Sequence, residues 1–324
     1  MTQRVLVTGG SGFLGRYVVA ELVERGYFVR VADNLSAPHS KPIDNALVDF
    51  VNLDLRDRAS SLRAMKDVDI CIASAARVGG IGLFNKQPAA MLDDNVRILS
   101  ATFEAARTQR VRKLLYVSSS CVFDNSSAYP TTEASLRDSP PPSAGYPASK
   151  LVGEFYCKAF QAQYGLPHII VRPFNVYGPG EVPGEKPGDS HVIPDLTAKL
   201  LAGQDPLEIF GDGHQTRCFT HVRDVAHGIV LAAESSAATN EDFNLGYSEE
   251  VSVLELAKKL WKLCGRSRAF AFRSLEPFQN DVRTRALDTT KAKTILGWQP
   301  RVGLDAGLAD FVKWFKTTCE VTRA

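Results

Sequence analysis

Residues 4–15 read RVLVTGGSGFLG. An apolar strand pattern runs directly into a glycine-rich turn, and the next periodic stretch, 13–25, is helical. Glycine allows a tight turn and a close approach of backbone to a pyrophosphate, and the amides that open the following helix face the phosphates. Gly10, Gly12 and Gly15 satisfy GxGxxG, while Gly9, Gly12 and Gly15 equally satisfy GxxGxxG. The second strand pattern ends at Asp33, 18 residues after Gly15. A carboxylate there accepts hydrogen bonds from ribose hydroxyls and repels a 2′-phosphate, so the cofactor expected is NAD rather than NADP.

The rest of the first half repeats this alternation. Strand patterns are expected at 28–33, 49–54, 68–73, 113–119 and 168–173, with helical stretches that include 95–107 and 146–164. Continuous apolar strands separated by helices predict a doubly wound parallel α/β sheet covered on both faces. After residue 173 glycine and proline become dense through 178–188, and helix patterns follow at 193–203, 223–235, 252–264 and 304–317. This predicts a Rossmann-type NAD-binding domain over 1–173 and a smaller α/β substrate domain over 174–324, some of whose elements return to the first.

Bulk properties narrow the partners. The 324 residues are 44% hydrophobic and 23% charged, with a net charge of +2. These values are ordinary for a globular protein and offer no charge excess for nucleic acid or an acidic membrane surface. No apolar run approaches the roughly 20 residues that a membrane helix needs. The opening MTQRVLVTGG carries no secretory signal pattern. The six cysteines (71, 121, 157, 218, 264 and 319) are scattered without a CxxC pair, which predicts free thiols, no metal site and a cytoplasmic location.

YPASK places Tyr146 and Lys150 one helical turn apart. A nearby ammonium favours the phenolate, and a phenolate is a suitable base for a sugar hydroxyl. Taken alone, YxxxK describes a surface pair just as well. Here it follows a dinucleotide-binding pattern and Ser119, a serine at a strand end.

Thr8–Gly15, Asp33, Ser119, Tyr146 and Lys150 together resemble the extended short-chain dehydrogenase/reductase family, and RPFNVYGPG (172–180), FGDGHQTRCFTHVRDVA (210–226) and LGWQP (296–300) resemble its nucleotide-sugar enzymes. The resemblance implies an enzyme that oxidises C4 of a nucleotide-linked hexose with NAD, using Tyr146, Lys150 and Ser119. It adds Phe13, Leu14, Asn34, Ala73 and Ala75 as cofactor contacts and sets Asp54 and Leu55 near the adenine. On spacing alone a solvated turn fits that last pair as well. Asn175, Arg217 and Arg283 are implied to hold the diphosphate, with Ser120, Val192 and Lys199 as further substrate contacts.

SSSCVF (118–123) then selects a branch. Dehydratases of the family carry an acid pair after the strand-end hydroxyl; Ser120 and Cys121 stand there instead. The branch with cysteine two residues after the serine holds GDP-mannose 3,5-epimerase and GDP-L-fucose synthase, which invert C3 and C5 of a 4-keto sugar. A thiol can take and return such a proton. The resemblance gives the opposing acid to His191, in DSHVIPDL (189–196), with Lys186 as a neighbouring candidate. ASAARVGGIG (73–82) resembles the same branch and makes Gly79 and Gly80 substrate contacts, with Arg77 departing from it. The function expected is NAD-dependent epimerisation of a GDP-hexose at C3, C5 or both, with an epimerase-reductase or a plain 4-epimerase as alternatives. Family members pair through two long helices, here 95–107 and 146–164. Val96, Leu99, Phe103 and Ala106 fall at helical spacing, and Leu151, Phe155, Lys158 and Ala162 do so less cleanly. Such a stripe could equally face the chain's own sheet.

Overall fold

The computed structural model describes residues 3–319. Strands β1 (Arg4–Thr8), β2 (Phe28–Asp33), β3 (Val48–Asn52), β4 (Ile70–Ala73), β5 (Lys113–Val117), β6 (His168–Pro173) and β7 (Glu241–Leu245) form one sheet. Its order is β7-β6-β5-β4-β1-β2-β3, and every neighbouring pair is parallel. The order reverses between β1 and β4, which opens a crevice at the carboxyl ends of these strands. The seventh strand lies outside the expected set; it pairs with β6 from Glu241↔Ile169 to Leu245↔Pro173.

Strand alternation builds two cores. Val5 and Val7, Ile70 and Ile72, and Leu115 and Val117 face helices α1 (Phe13–Glu24) and α7 (Val222–Glu234). Leu6, Cys71, Leu114 and Tyr116, one position out of step, face α2 (Arg58–Met65), α4 (Pro88–Thr108) and α5 (Gly145–Tyr164). A third core joins α6 (Val192–Leu201), α8 (Val253–Leu263) and α10 (Leu304–Cys319) through Leu196, Leu256, Leu260 and Phe311. Two short helices, α3 (Ile81–Lys86) and α9 (Thr290–Leu296), complete the set.

The apolar stripe of α4 is used within the chain. Leu99, Phe103 and Ala106 are buried in the second core, and α4 lies along α5. On α5, by contrast, Phe155 stays 60% exposed. Among the described residues no helix is long and apolar enough to cross a membrane. Cys71, Cys121, Cys157, Cys218 and Cys264 are free thiols; the side chain of Cys319 lies outside the described residues.

Candidate active site

Both glycine patterns are sterically used in the turn. Gly9 has φ +67°, and a Cβ there would sit 2.8 Å from the Ala75 Cα. A Cβ on Gly15 would overlap the Gly9 carbonyl oxygen, and Gly12 caps α1. Gly9 and Gly15 are required by the turn itself, and Gly10 leaves no room for a Cβ either, since one would sit 2.8 Å from Val31 Cγ1. The Asp33 carboxylate is 8% exposed and accepts from the backbone N–H groups of Ser11 (3.0 Å) and Leu35 (2.8 Å). It thus locks the turn to the end of β2. Thr8 Oγ1 accepts from the Ser74 and Ala75 N–H groups, tying in β4, whose last residue, Ala73, is buried. Ser11 Oγ is buried with no hydrogen-bond partner among the described residues, at the place where a pyrophosphate would meet α1. These residues fit a dinucleotide.

The peripheral cofactor positions differ more. Phe13 and Leu14 form the first turn of α1, and Asn34 is exposed beside Asp33. Leu55 is buried within the core of the α4 face, and Asp54 is held by Arg56 at 2.6 Å. That guanidinium's hydrogen bonds keep the Asp54 carboxyl below its ordinary pKa. Gly15→Ala forces backbone against backbone and is expected to weaken NAD binding roughly tenfold or more, measured by calorimetric titration.

Beyond β5, Ser119 caps the short 3₁₀ turn Ser120–Phe123, its hydroxyl accepting from the Cys121 N–H at 3.3 Å. Tyr146, in the first turn of α5, is 8% exposed, and Lys150 is 5% exposed. Lys150 Nζ donates to the Val117 carbonyl at 2.8 Å and lies 5.7 Å from the Tyr146 ring centroid. Burial raises the phenol's pKa, and the Cys121 charge adds to that; hydrogen bonding from Ser119 and the charge of Arg285 pull it down without overcoming burial. Burial likewise pushes the Lys150 ammonium down to about 8. A dry pocket penalises both charged forms, and the ammonium is directed at the Val117 carbonyl. Phe84 of α3 stacks on Tyr146 with centroids 4.7 Å apart.

Two arginine–aspartate pairs, Arg285–Asp124 and Arg217–Asp281 (2.5 Å), bring the charges of Arg285, Asp124 and Arg217 to bear on Cys121. Burial raises the thiol's pKa; Arg285, Ser119 and Arg217 oppose it, while Asp124 reinforces it. Burial and the Arg285 charge push Arg217 down to about 10. Arg283 stands 63% exposed and binds Asp212. Arg285, two residues further along the Thr284–Arg285 strand and paired in register with Arg217, carries its charge to Cys121, Tyr146 and His191. The short separation between these arginines was the one signal for Arg285. Nothing local marked Asp124 or Asp281.

His191 occupies the N-cap position of α6, with Nδ1 2.5 Å from Glu181 Oε1. Protein surrounds the ring closely enough for burial to disfavour its charged form, yet 53% of the side chain is exposed. The charge and hydrogen bond of Glu181 outweigh burial and Arg285, so the imidazole pKa is raised. The glycines of the VGGIG stretch serve this placement. Gly80 and Gly82 N–H groups donate to the carbonyls of Asp189 (2.8 Å) and Gly188 (3.0 Å), and a Cβ on Gly80 would overlap the Ser190 carbonyl. Gly79 packs on Leu83 and beside Asp189. Arg77 is drawn back to Asp94 on α4, and Lys186 is exposed on the crossing loop.

Of the remaining expected contacts, Ser120 is buried beside the thiol, and Asn175, at φ +38°, donates to the Cys218 carbonyl at 3.2 Å. Val192 is the first residue of α6, while Lys199 is held by Asp195 at 2.7 Å inside that lobe.

The sequence pattern of the NAD dependent epimerase/dehydratase family matches residues 5–246. A putative UDP-glucose 4-epimerase of Methanocaldococcus jannaschii is 34% identical over 317 residues, 96% of this chain and 98% of that protein. A putative GDP-L-fucose synthase 2 of Oryza sativa subsp. japonica is 36% identical over 251 residues, 75% of this chain and 71% of that one. The solved UDP-glucose 4-epimerase of Thermus thermophilus in complex with NAD superposes with a TM-score of 0.85 at 28% identity, covering 98% of this chain and 100% of that one. With the glycine turn, the Asp33 lock and the Ser119–Tyr146–Lys150 group in place, the chain belongs to the NAD dependent epimerase/dehydratase family and is an enzyme that uses NAD.

Proposed function

We propose that this enzyme epimerises a nucleotide-linked hexose, a GDP-hexose, through a 4-keto intermediate, with inversion at C3, C5 or both. The observation that carries the reading is one connected group: Phe84 of α3 stacks on Tyr146 at 4.7 Å, the Gly80 and Gly82 N–H groups bond the loop before His191 at 2.8 and 3.0 Å, and Ser119 accepts from the Cys121 N–H at 3.3 Å. Bound NAD supplies the hydride acceptor and returns the hydride. Tyr146 takes the C4 hydroxyl proton as its phenolate, with the Lys150 ammonium as the nearby cation. The C4 carbonyl then acidifies the hydrogens at C3 and C5. Cys121 removes one of these protons, and His191 delivers a proton to the opposite face of the same carbon. Arg217 and Asn175 are the diphosphate contacts in this reading, since an arginine fork suits phosphate oxygens. Pairing of two copies along α4 and α5, with Phe155 on the shared face, belongs to the same reading.

A second reading, inversion at C4 alone on a UDP-hexose, is supported by the 34% identity to the Methanocaldococcus jannaschii relative. Incubation with GDP-mannose and, separately, UDP-glucose in deuterated water distinguishes them by NMR. Deuterium entering C3 or C5 of the GDP-hexose is expected. Inversion of UDP-glucose at C4 without solvent label would establish the second reading instead. Consumption of added NADPH with the 4-keto-6-deoxy derivative of GDP-mannose would identify a net reduction.

A further inference from the structure

We propose that Glu181 is a positioning residue for this reaction: its carboxylate holds the His191 imidazole with Nδ1 bound and Nε2 facing the cleft with a proton to give. The proposal rests on the reading of His191 as the acid.

The geometry is specific. Nδ1 of His191 lies 2.5 Å from Glu181 Oε1. An ionised carboxylate only accepts, so Nδ1 keeps its hydrogen and Nε2 is the atom left to exchange one. Glu181 is 8% exposed, and its second oxygen, Oε2, is buried without a hydrogen-bond partner among the described residues. A buried carboxylate in that condition costs stability unless a cation faces it. Its position is fixed by the turn before it, where the Glu181 N–H donates to the Gly178 carbonyl at 3.2 Å and Gly178 and Gly180 adopt φ of +149° and +100°.

The surroundings show why such a residue is needed. His191 stands at the positive end of α6, makes no side-chain cap bond there, and feels the Arg285 charge. Burial adds a third effect against the imidazolium. Asp195 is committed to Lys199 (2.7 Å) on α6 itself and Asp189 to Lys86 (2.7 Å) of α3, while Glu185 and Lys186 stand exposed on the same loop. Glu181 is the acidic group, among the described residues, whose charge favours a protonated ring. In the step itself the proton leaves Nε2 for the sugar carbon, the N–H electron pair stays on nitrogen, and solvent reprotonates the neutral imidazole before the next turnover.

The test uses the full chain with NAD bound. The His191 ring is titrated by NMR, its resonance assigned by its disappearance in His191→Asn, and solvent-deuterium exchange into the GDP-hexose is followed against pH. Glu181→Gln is expected to lower the His191 midpoint by about one unit or more. Because an acid is lost as pH rises through its pKa, the alkaline limb of the exchange profile moves down with it. Exchange above neutral pH then falls roughly tenfold at unchanged KM. Glu181→Asp, which keeps the charge, is expected to restore most of both and shows that the loss does not come from misfolding. An unmoved His191 midpoint in Glu181→Gln overturns the role of Glu181 whatever the activity. Full inversion in His191→Asn overturns the acid reading, and this proposal with it, whatever the midpoint.

Discussion

Replacing Cys121 by serine is expected to cut solvent-deuterium exchange at C3 and C5 by about 10²–10⁴-fold while the reduced-nicotinamide absorbance still rises when sugar nucleotide is added. The reasoning follows from the pocket. Even the thiol has its pKa raised by burial there, offset in part by Arg285, Ser119 and Arg217. A hydroxyl starts from a far higher pKa, and the same charges are too weak to make it a base. The first step does not touch this side chain, because Tyr146 and Ser119 carry it. Tyr146→Phe supplies the contrast: both the absorbance change and the exchange disappear, since without a C4 carbonyl nothing acidifies C3 or C5. Rapid-scan absorbance and NMR of the recovered sugar nucleotide measure the two steps separately. Exchange that persists in Cys121→Ser would remove the thiol from the chemistry and leave epimerisation at C4 as the reading to pursue.

Glu154→Ala is expected to destabilise the fold by about 3–5 kcal/mol, read from urea denaturation. Glu154 and Arg172 are each 1% exposed, and the guanidinium grips the carboxylate with Nε at 2.8 Å and Nη2 at 2.7 Å. Ser118 Oγ donates to the same carboxylate at 2.6 Å. Removing Glu154 leaves a buried guanidinium with Asp242 as its remaining anion, at 2.8 Å and already shared with Lys291. Glu154 lies one turn beyond Lys150 on α5, Arg172 is on β6, and Ser118 directly precedes Ser119, so this group also sets how α5 seats against the sheet. The double variant Glu154→Leu/Arg172→Met, which replaces both charges by apolar volume, is expected to recover much of the loss. A loss below about 1 kcal/mol in Glu154→Ala would mean that Asp242 alone satisfies Arg172.

How much of this was legible beforehand depends on the distance over which each interaction acts. The β1 turn, Asp33 and the Tyr146–Lys150 spacing are local, and each could be read because the backbone geometry that a turn or one helical face requires restricts which residue types fit. Six strands of the sheet and seven of the helices could be read from periodicity for the same reason. Helices α2, α3 and α9 escaped, being six to eight residues long and stabilised by what they pack on rather than by propensity. The stripe on α4 was visible as a stripe, but only packing showed that its apolar face belongs to this chain's own sheet.

The amino-acid sequence by itself determined that the chain winds a parallel sheet around a dinucleotide and brings a tyrosine, a lysine and a serine to its edge. Tertiary structure alone decided the charges around the thiol and the second face of the cleft. Asp124 meets Arg285 across 161 residues, β7 enters the sheet late in the chain, and the glycines of residues 79–82 press the loop that carries His191 into place. The physical reason is that a buried charge is defined by the partners that surround it, and those partners come from strands and loops whose meeting no local pattern encodes.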